Sequence, residues 1–199
     1  AFASRGMQLV DGRGASRTAF EMMARLAATL IQIRPATIKD SKQAHDWAND
    51  PVTRSVSFNQ GTILWEEHQS WFTKKLHESS CKLLIGEDNN HEAFGIVRFD
   101  WQDQLATISI NLSPTLRGKG LGSLLILAAC REMLQHSSVG QIRALIKPTN
   151  SSSIKAFQRA GFEQTSDVFT TSVPLSIGLG PVGIGQGADA TFAIGDINF

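Results

Sequence analysis

L-A-T-I-S-I-N-L-S-P-T-L-R-G-K-G-L-G-S-L-L-I-L-A-A-C-R-E-M-L-Q-H, residues 105–136, changes character in its middle. Residues 105–114 alternate enough to read as a strand that ends at Pro114. Residues 123–136 are helix-forming and apolar on one broad face. Between them lies Arg117-Gly118-Lys119-Gly120-Leu121-Gly122. A strand, a glycine-rich turn and a helix start together make an anion site. The glycines let backbone approach a ligand, successive N–H groups point at it, and the helix dipole favours negative charge. Arg117 and Lys119 add two cations, so the expected guest is a phosphate or pyrophosphate; the plainer alternative is a glycine turn with two solvated cations. The spacing does not match G-x-x-x-x-G-K-[ST], nor the dinucleotide G-x-G-x-x-G. It is R-x-x-G-x-G.

A second segment, P-T-N-S-S-S-I-K-A-F-Q-R-A-G-F, occupies residues 148–162. Asn150 or Ser151 caps a short helix and Gly161 ends it. The loop resembles the pyrophosphate loop of the GCN5-related N-acetyltransferases. The second segment resembles that family's N-x-x-S-x-x-x-[YF]-x-x-x-G-F helix, with Asn150, Ser153, Phe157, Gly161 and Phe162 on the matching positions. The resemblance implies an α/β (α+β) fold: a mixed, mostly antiparallel sheet flanked by helices. It implies acetyl-coenzyme A as cosubstrate, held by Leu112, Arg117, Gly118, Lys119, Gly120, Leu121, Gly122, Ser123, Asn150, Ser153 and Phe157.

Composition narrows the classes. Nineteen Lys and Arg against 18 Asp and Glu give a net charge of +1, which carries no general drive toward nucleic acid or membrane. Cys81 and Cys130 stand apart with no metal-ligand spacing, and reduced core thiols are expected. The five histidines are scattered, and no metal site is expected. No run of 18 apolar residues and no signal peptide is read, so a cytoplasmic location is the default expectation.

Around the loop, the pattern predicts a helix over 16–30, a first strand from Ile31, short helices within 40–56, and an amphipathic helix over 65–77. Cys81–Gly86 and Ala93–Trp101 read as two strands joined through Asp88-Asn89-Asn90, and 141–147 as another. The flanks differ. L-V-D-G-R-G-A-S-R (9–17) resembles the last segment of UDP-sugar hydrolases of the pseudaminic acid pathway. The glycine-rich stretch from Ser176 resembles the opening of nonulosonic acid synthases, through Ile177-Gly178, Ile184-Gly185-Gln186-Gly187 and Phe192 to Ile197. These resemblances divide the chain into a hydrolase remnant (1–30), an acetyltransferase domain (31–173) and a synthase stub (174–199). They also imply fused hydrolase and synthase domains as partners.

W-A-N-D-P-V-T-R-S-V-S-F (47–58) and E-E-H-Q-S-W-F (66–72) resemble the acceptor-side helices of acetyltransferases acting on 4-amino-4,6-dideoxy UDP-sugars. The implied reaction moves acetyl to the C4 amine of such a sugar, toward pseudaminic or legionaminic acid. Rival readings are acetylation of a protein N-terminus or ribosomal protein, and a non-catalytic acetyl-coenzyme A-binding module. The implied acceptor residues are Asn49, Arg54, Phe58, His68 and Trp71. Four have a structural alternative: Asn49 a turn before Pro51, Arg54 a solvated charge, His68 a packed or exposed side chain and Trp71 a core side chain. The amine must be neutral to attack, and a sugar amine titrates below a lysine at ~10.4. The fourth strand is expected to splay from the fifth, leaving N–H groups near Asn111 and Leu112 for the thioester oxygen. Relatives place a tyrosine four residues after Ser153. Here it is Phe157, and the chain has no tyrosine. Ser153, Asn150 or water replaces it, or the thiolate leaves unassisted, and His68 is a candidate base.

Overall fold

The computed structural model describes residues 14–135, 138–164 and 170–173. Helix α1 (Gly14–Leu30) leads into β1 (Gln32–Pro35), a 3-10 turn (Ile38–Asp40), α2 (Ser41–Ala48), α3 (Pro51–Val56) and α4 (Trp65–His77). Then come β2 (Cys81–Glu87), β3 (Ala93–Gln102) and β4 (Leu105–Leu112), followed by a 3-10 turn at Pro114–Leu116. Helix α5 (Leu121–Gln135), β5 (Gln141–Leu145), α6 (Ser151–Arg159), β6 (Glu163–Gln164) and β7 (Thr170–Val173) complete the order. The strands form one seven-stranded sheet, β1-β2-β3-β4-β5-β7-β6. All its pairs are antiparallel except β4–β5. A parallel pair needs a crossover, and α5 supplies it. The expected order is therefore present through α6, and β6 and β7 follow it.

Alternation along β3 divides the core into two layers. Val97 and Phe99 face a cluster with Leu84, Ile108, Leu125, Ile126 and Ile142, beneath α5. Ile96 faces the opposite cluster with Trp47, Phe72, Leu83 and Ile85, beneath α2 and α4. Gly95 permits the tight seating of α5, because a Cβ there would stand 2.6 Å from Leu125 Cδ2. Helix α1 is not separate from this core: Ala27 and Ile31 are buried in the α5 layer. Cys81 and Cys130 are both free and buried. Burial pushes Cys81 up to about 12 and raises Cys130 further. The proposed synthase stub 174–199 and the hydrolase-like residues before Gly14 lie outside the described residues.

Candidate active site

The β4–β5 ladder stops at Ile108 opposite Ala144, although β4 continues to Leu112. Beyond that point the strands diverge and open a cleft of about 130 Å³. Its walls are Thr107 to Ile110 of β4, Ala144 to Lys147 around the end of β5, the α6 cap Asn150 with Ser153 and Phe157 of α6, and Val56 at the end of α3 with Ser57 and Phe58 beyond it. The free backbone donors follow from strand parity. Ser113 N donates to Phe94 O at 2.8 Å, so the odd-numbered residues of this stretch bond toward β3. The N–H groups of Ile110 and Leu112 therefore point to the unpaired side. The sequence placed oxyanion donors near both Asn111 and Leu112; Leu112 faces the unpaired side, whereas the Asn111 N–H faces β3, opposite Ile96. The Asn111 side chain instead accepts from Thr53 Oγ1 at 3.4 Å.

The glycine loop joins β4 to α5 as expected. Gly118 and Gly120 have φ of +77° and +81°, and a Cβ on either would meet nothing within 4 Å. These positions need the left-handed backbone, and they leave open space beside it. Leu121 and Gly122 begin α5, whose first N–H groups have no intrahelical partner. Lys119 is exposed at the loop. Ser123 is buried, and its Oγ donates to Gly120 O at 2.9 Å, so its side chain braces the turn. The backbone cradle fits a pyrophosphate. The Arg117 side chain does not join it, turning inward to Asp50 and Thr53.

On the second motif, Asn150 caps α6, its Oδ1 accepting from Ser153 N at 3.1 Å. Ser153 is half-buried and lines the cleft. Phe157 lies at the cleft wall, 3% exposed, edge-on to Phe162 at 4.9 Å. It presents carbon where a tyrosine would present a hydroxyl.

The acceptor residues divide. Phe58 is 59% exposed, lines the cleft, and has Lys147 Nζ 5.7 Å from its ring centre. Lys147 Nζ also donates to Ser57 O, closing one end of the cleft. Lys147 went unnoticed in the sequence, where it ends an ordinary strand pattern.

Arg54 is buried, not poised for a phosphate. Its Nε donates to Ala48 O at 2.6 Å, and Nη1 to Asn59 O at 3.1 Å. His68 is 2% exposed, its Nε2 is 3.0 Å from Ser41 O, and it packs among His45, Trp65, Trp71 and Phe72. Burial pulls its pKa down to about 4. A ring both enclosed and so weakly basic is a core residue, not a general base. Asn49 is spent on the 59–64 loop, accepting from Ile63 N at 2.8 Å and donating to Ile63 O at 2.9 Å. Trp71 is half-buried beneath Arg98, whose guanidinium carbon lies 5.5 Å from its ring centre.

The model of the family described as Acetyltransferase (GNAT) domain matches residues 31–163. The chain belongs to the GNAT acetyltransferase family. YwnH of Bacillus subtilis (strain 168), a protein named for phosphinothricin acetyltransferase activity, is 27% identical over 119 residues, spanning 57% of this chain and 71% of YwnH. Among solved structures, the aminoglycoside acetyltransferase AAC(6')-Ib in complex with coenzyme A superposes with a TM-score of 0.64 at 18% identity, covering 73% of this chain and 95% of that one. A Vibrio cholerae spermidine N-acetyltransferase in complex with coenzyme A and spermine gives 0.62 at 17% identity, covering 71% and 91%. Those two likenesses concern the fold. As a GNAT enzyme the protein is an acetyl-coenzyme A-dependent N-acetyltransferase.

Proposed function

We propose that this GNAT enzyme acetylates the C4 amine of a UDP-4-amino-4,6-dideoxy sugar, in the cytoplasm, on the way to a pseudaminic-type acid. One observation carries the reading. Among the described residues, the cleft is lined by a lysine and by no carboxylate. A polyamine or aminoglycoside acceptor is strongly cationic and needs acidic walls, whereas a diphosphate needs cations. Lys147 supplies the charge, and the exposed ring of Phe58 beside it supplies a face for a base. Among the described residues, the cleft also holds no histidine, aspartate or glutamate. That suits an amine of lowered basicity, which reaches its neutral form without a strong protein base.

In the proposed reaction the neutral amine nitrogen attacks the thioester carbon. The Leu112 N–H, and the Ile110 N–H on the same side, receive the developing oxyanion. The carbon–sulfur bond then breaks, the thiolate leaves, and the ammonium proton passes to water. In this reading the Ser153 hydroxyl, which lines the cleft, hydrogen-bonds the thiolate.

The test is coenzyme A release with a panel: the UDP-4-amino sugar, phosphinothricin, spermidine, an aminoglycoside and a peptide with a free N-terminus. Release with the nucleotide sugar and lower KM than for any cation is the expected result. Release with spermidine or the aminoglycoside alone would overturn the acceptor class, and release with the peptide alone would move the acceptor to protein.

A further inference from the structure

Arg117 introduces the glycine loop yet points away from it. Its Nη1 donates to Asp50 Oδ1, and its Nη2 to Thr53 Oγ1 at 2.7 Å and Leu112 O at 3.3 Å. The same Asp50 oxygen accepts the Val52 and Thr53 N–H groups at 3.1 Å each, capping α3. Burial alone would raise the Asp50 carboxyl, but Arg117 and these N–H groups carry it below its ordinary value. Thr53 passes the connection back to Asn111 on β4. One knot thus joins the donor loop, the end of β4 and the first turn of α3. The last turn of α3 runs into Ser57 and Phe58, which wall the cleft.

We propose that Arg117 is a positioning residue that ties the acceptor wall to the donor loop, and that its guanidinium is not a ligand of acetyl-coenzyme A. Both protons of Nη2 have acceptors, and Nη1 faces a carboxylate. Swinging this group to the pyrophosphate would leave the Asp50 carboxylate, 17% exposed, without its ion-pair partner and with only the Val52 and Thr53 N–H groups. Backbone N–H groups of the loop and of the α5 start remain to hold the pyrophosphate, with exposed Lys119 alongside. Donor binding orders the loop, and the loop, through Arg117, holds α3. Each substrate therefore tightens the site of the other by the same factor.

The readouts need acetyl-coenzyme A alone, so they stand apart from the identity of the acceptor. In the wild type, saturating acetyl-coenzyme A should slow amide hydrogen exchange at residues 52–57 as well as in the loop, by about tenfold. Arg117→Ala should bind acetyl-coenzyme A within about threefold of wild type by calorimetry. It should keep the loop protection and lose that of α3. Asp50→Asn, which retains a capping side chain but not the ion pair, should do the same if Arg117→Ala fails to fold. The proposal is overturned by a tenfold or greater loss of affinity in Arg117→Ala. It is equally overturned if α3 stays protected in either variant, or is unprotected in the wild type.

Discussion

His68 shows how far a side chain's surroundings change its chemistry. A histidine that titrates at about 4 when folded, against 6.5 when unfolded, is charged more readily in the unfolded chain. Between those values the unfolded state binds the extra proton, so stability falls as pH drops from 6.5 to about 4 and is level above. The contribution is on the order of 3 kcal/mol at most. Thermal unfolding across this range should show a shallower pH slope in His68→Gln than in the wild type, and an unchanged slope would place the ring in water. Gly120 is the corresponding test of the loop. Its Cβ direction is open but its φ of +81° strains any side chain, so Gly120→Asp loses some stability while the added carboxylate stands beside the phosphates. Acetyl-coenzyme A affinity should drop by about a hundredfold or more, and calorimetry on a folded variant decides it.

Helix α4 was legible almost residue for residue, since Glu66 and Glu67 open it and Lys74, Lys75 and His77 close it. The loop before α5 was legible for the same kind of reason: glycine spacing is a backbone requirement, and backbone requirements are local. The element α3 with its following loop was not. Arg54 reads as a solvated cation because nothing in its neighbours announces that three carbonyls, of Ala48, Asn59 and Gly61, converge on it. Those contacts fix how the 57–61 segment leaves the helix, and hence where Phe58 stands. Arg54→Ala should cost about 2–4 kcal/mol by chemical denaturation, through the carbonyls left without a donor. Arg54→Lys should recover part of it, since an ammonium cannot fork as a guanidinium does. Parity along β4 was likewise beyond the pattern. Alternating residues show which side chains share a face, but not which N–H groups the neighbouring strand consumes.

At the scale of the molecule, α1 is bound into the domain that follows it. Ala27 and Ile31 are buried against the α5 layer, while Met22, Leu26 and Leu30, spaced by four, are exposed on the other side. A chain starting at Ile31 should be less stable by about 2 kcal/mol or more, through the apolar area uncovered on α5. A matched pair of melting curves tests this, and equal midpoints would make the helix a mere appendage. Both thiols, by contrast, lie deep in the fold, and their raised pKa values leave almost no thiolate at neutral pH. A chromogenic disulfide reagent added to the native enzyme during turnover should therefore colour only with the sulfur that the reaction sets free. The protein is its own clean background, and a slow rise in absorbance without acceptor would report unfolding before it reported catalysis.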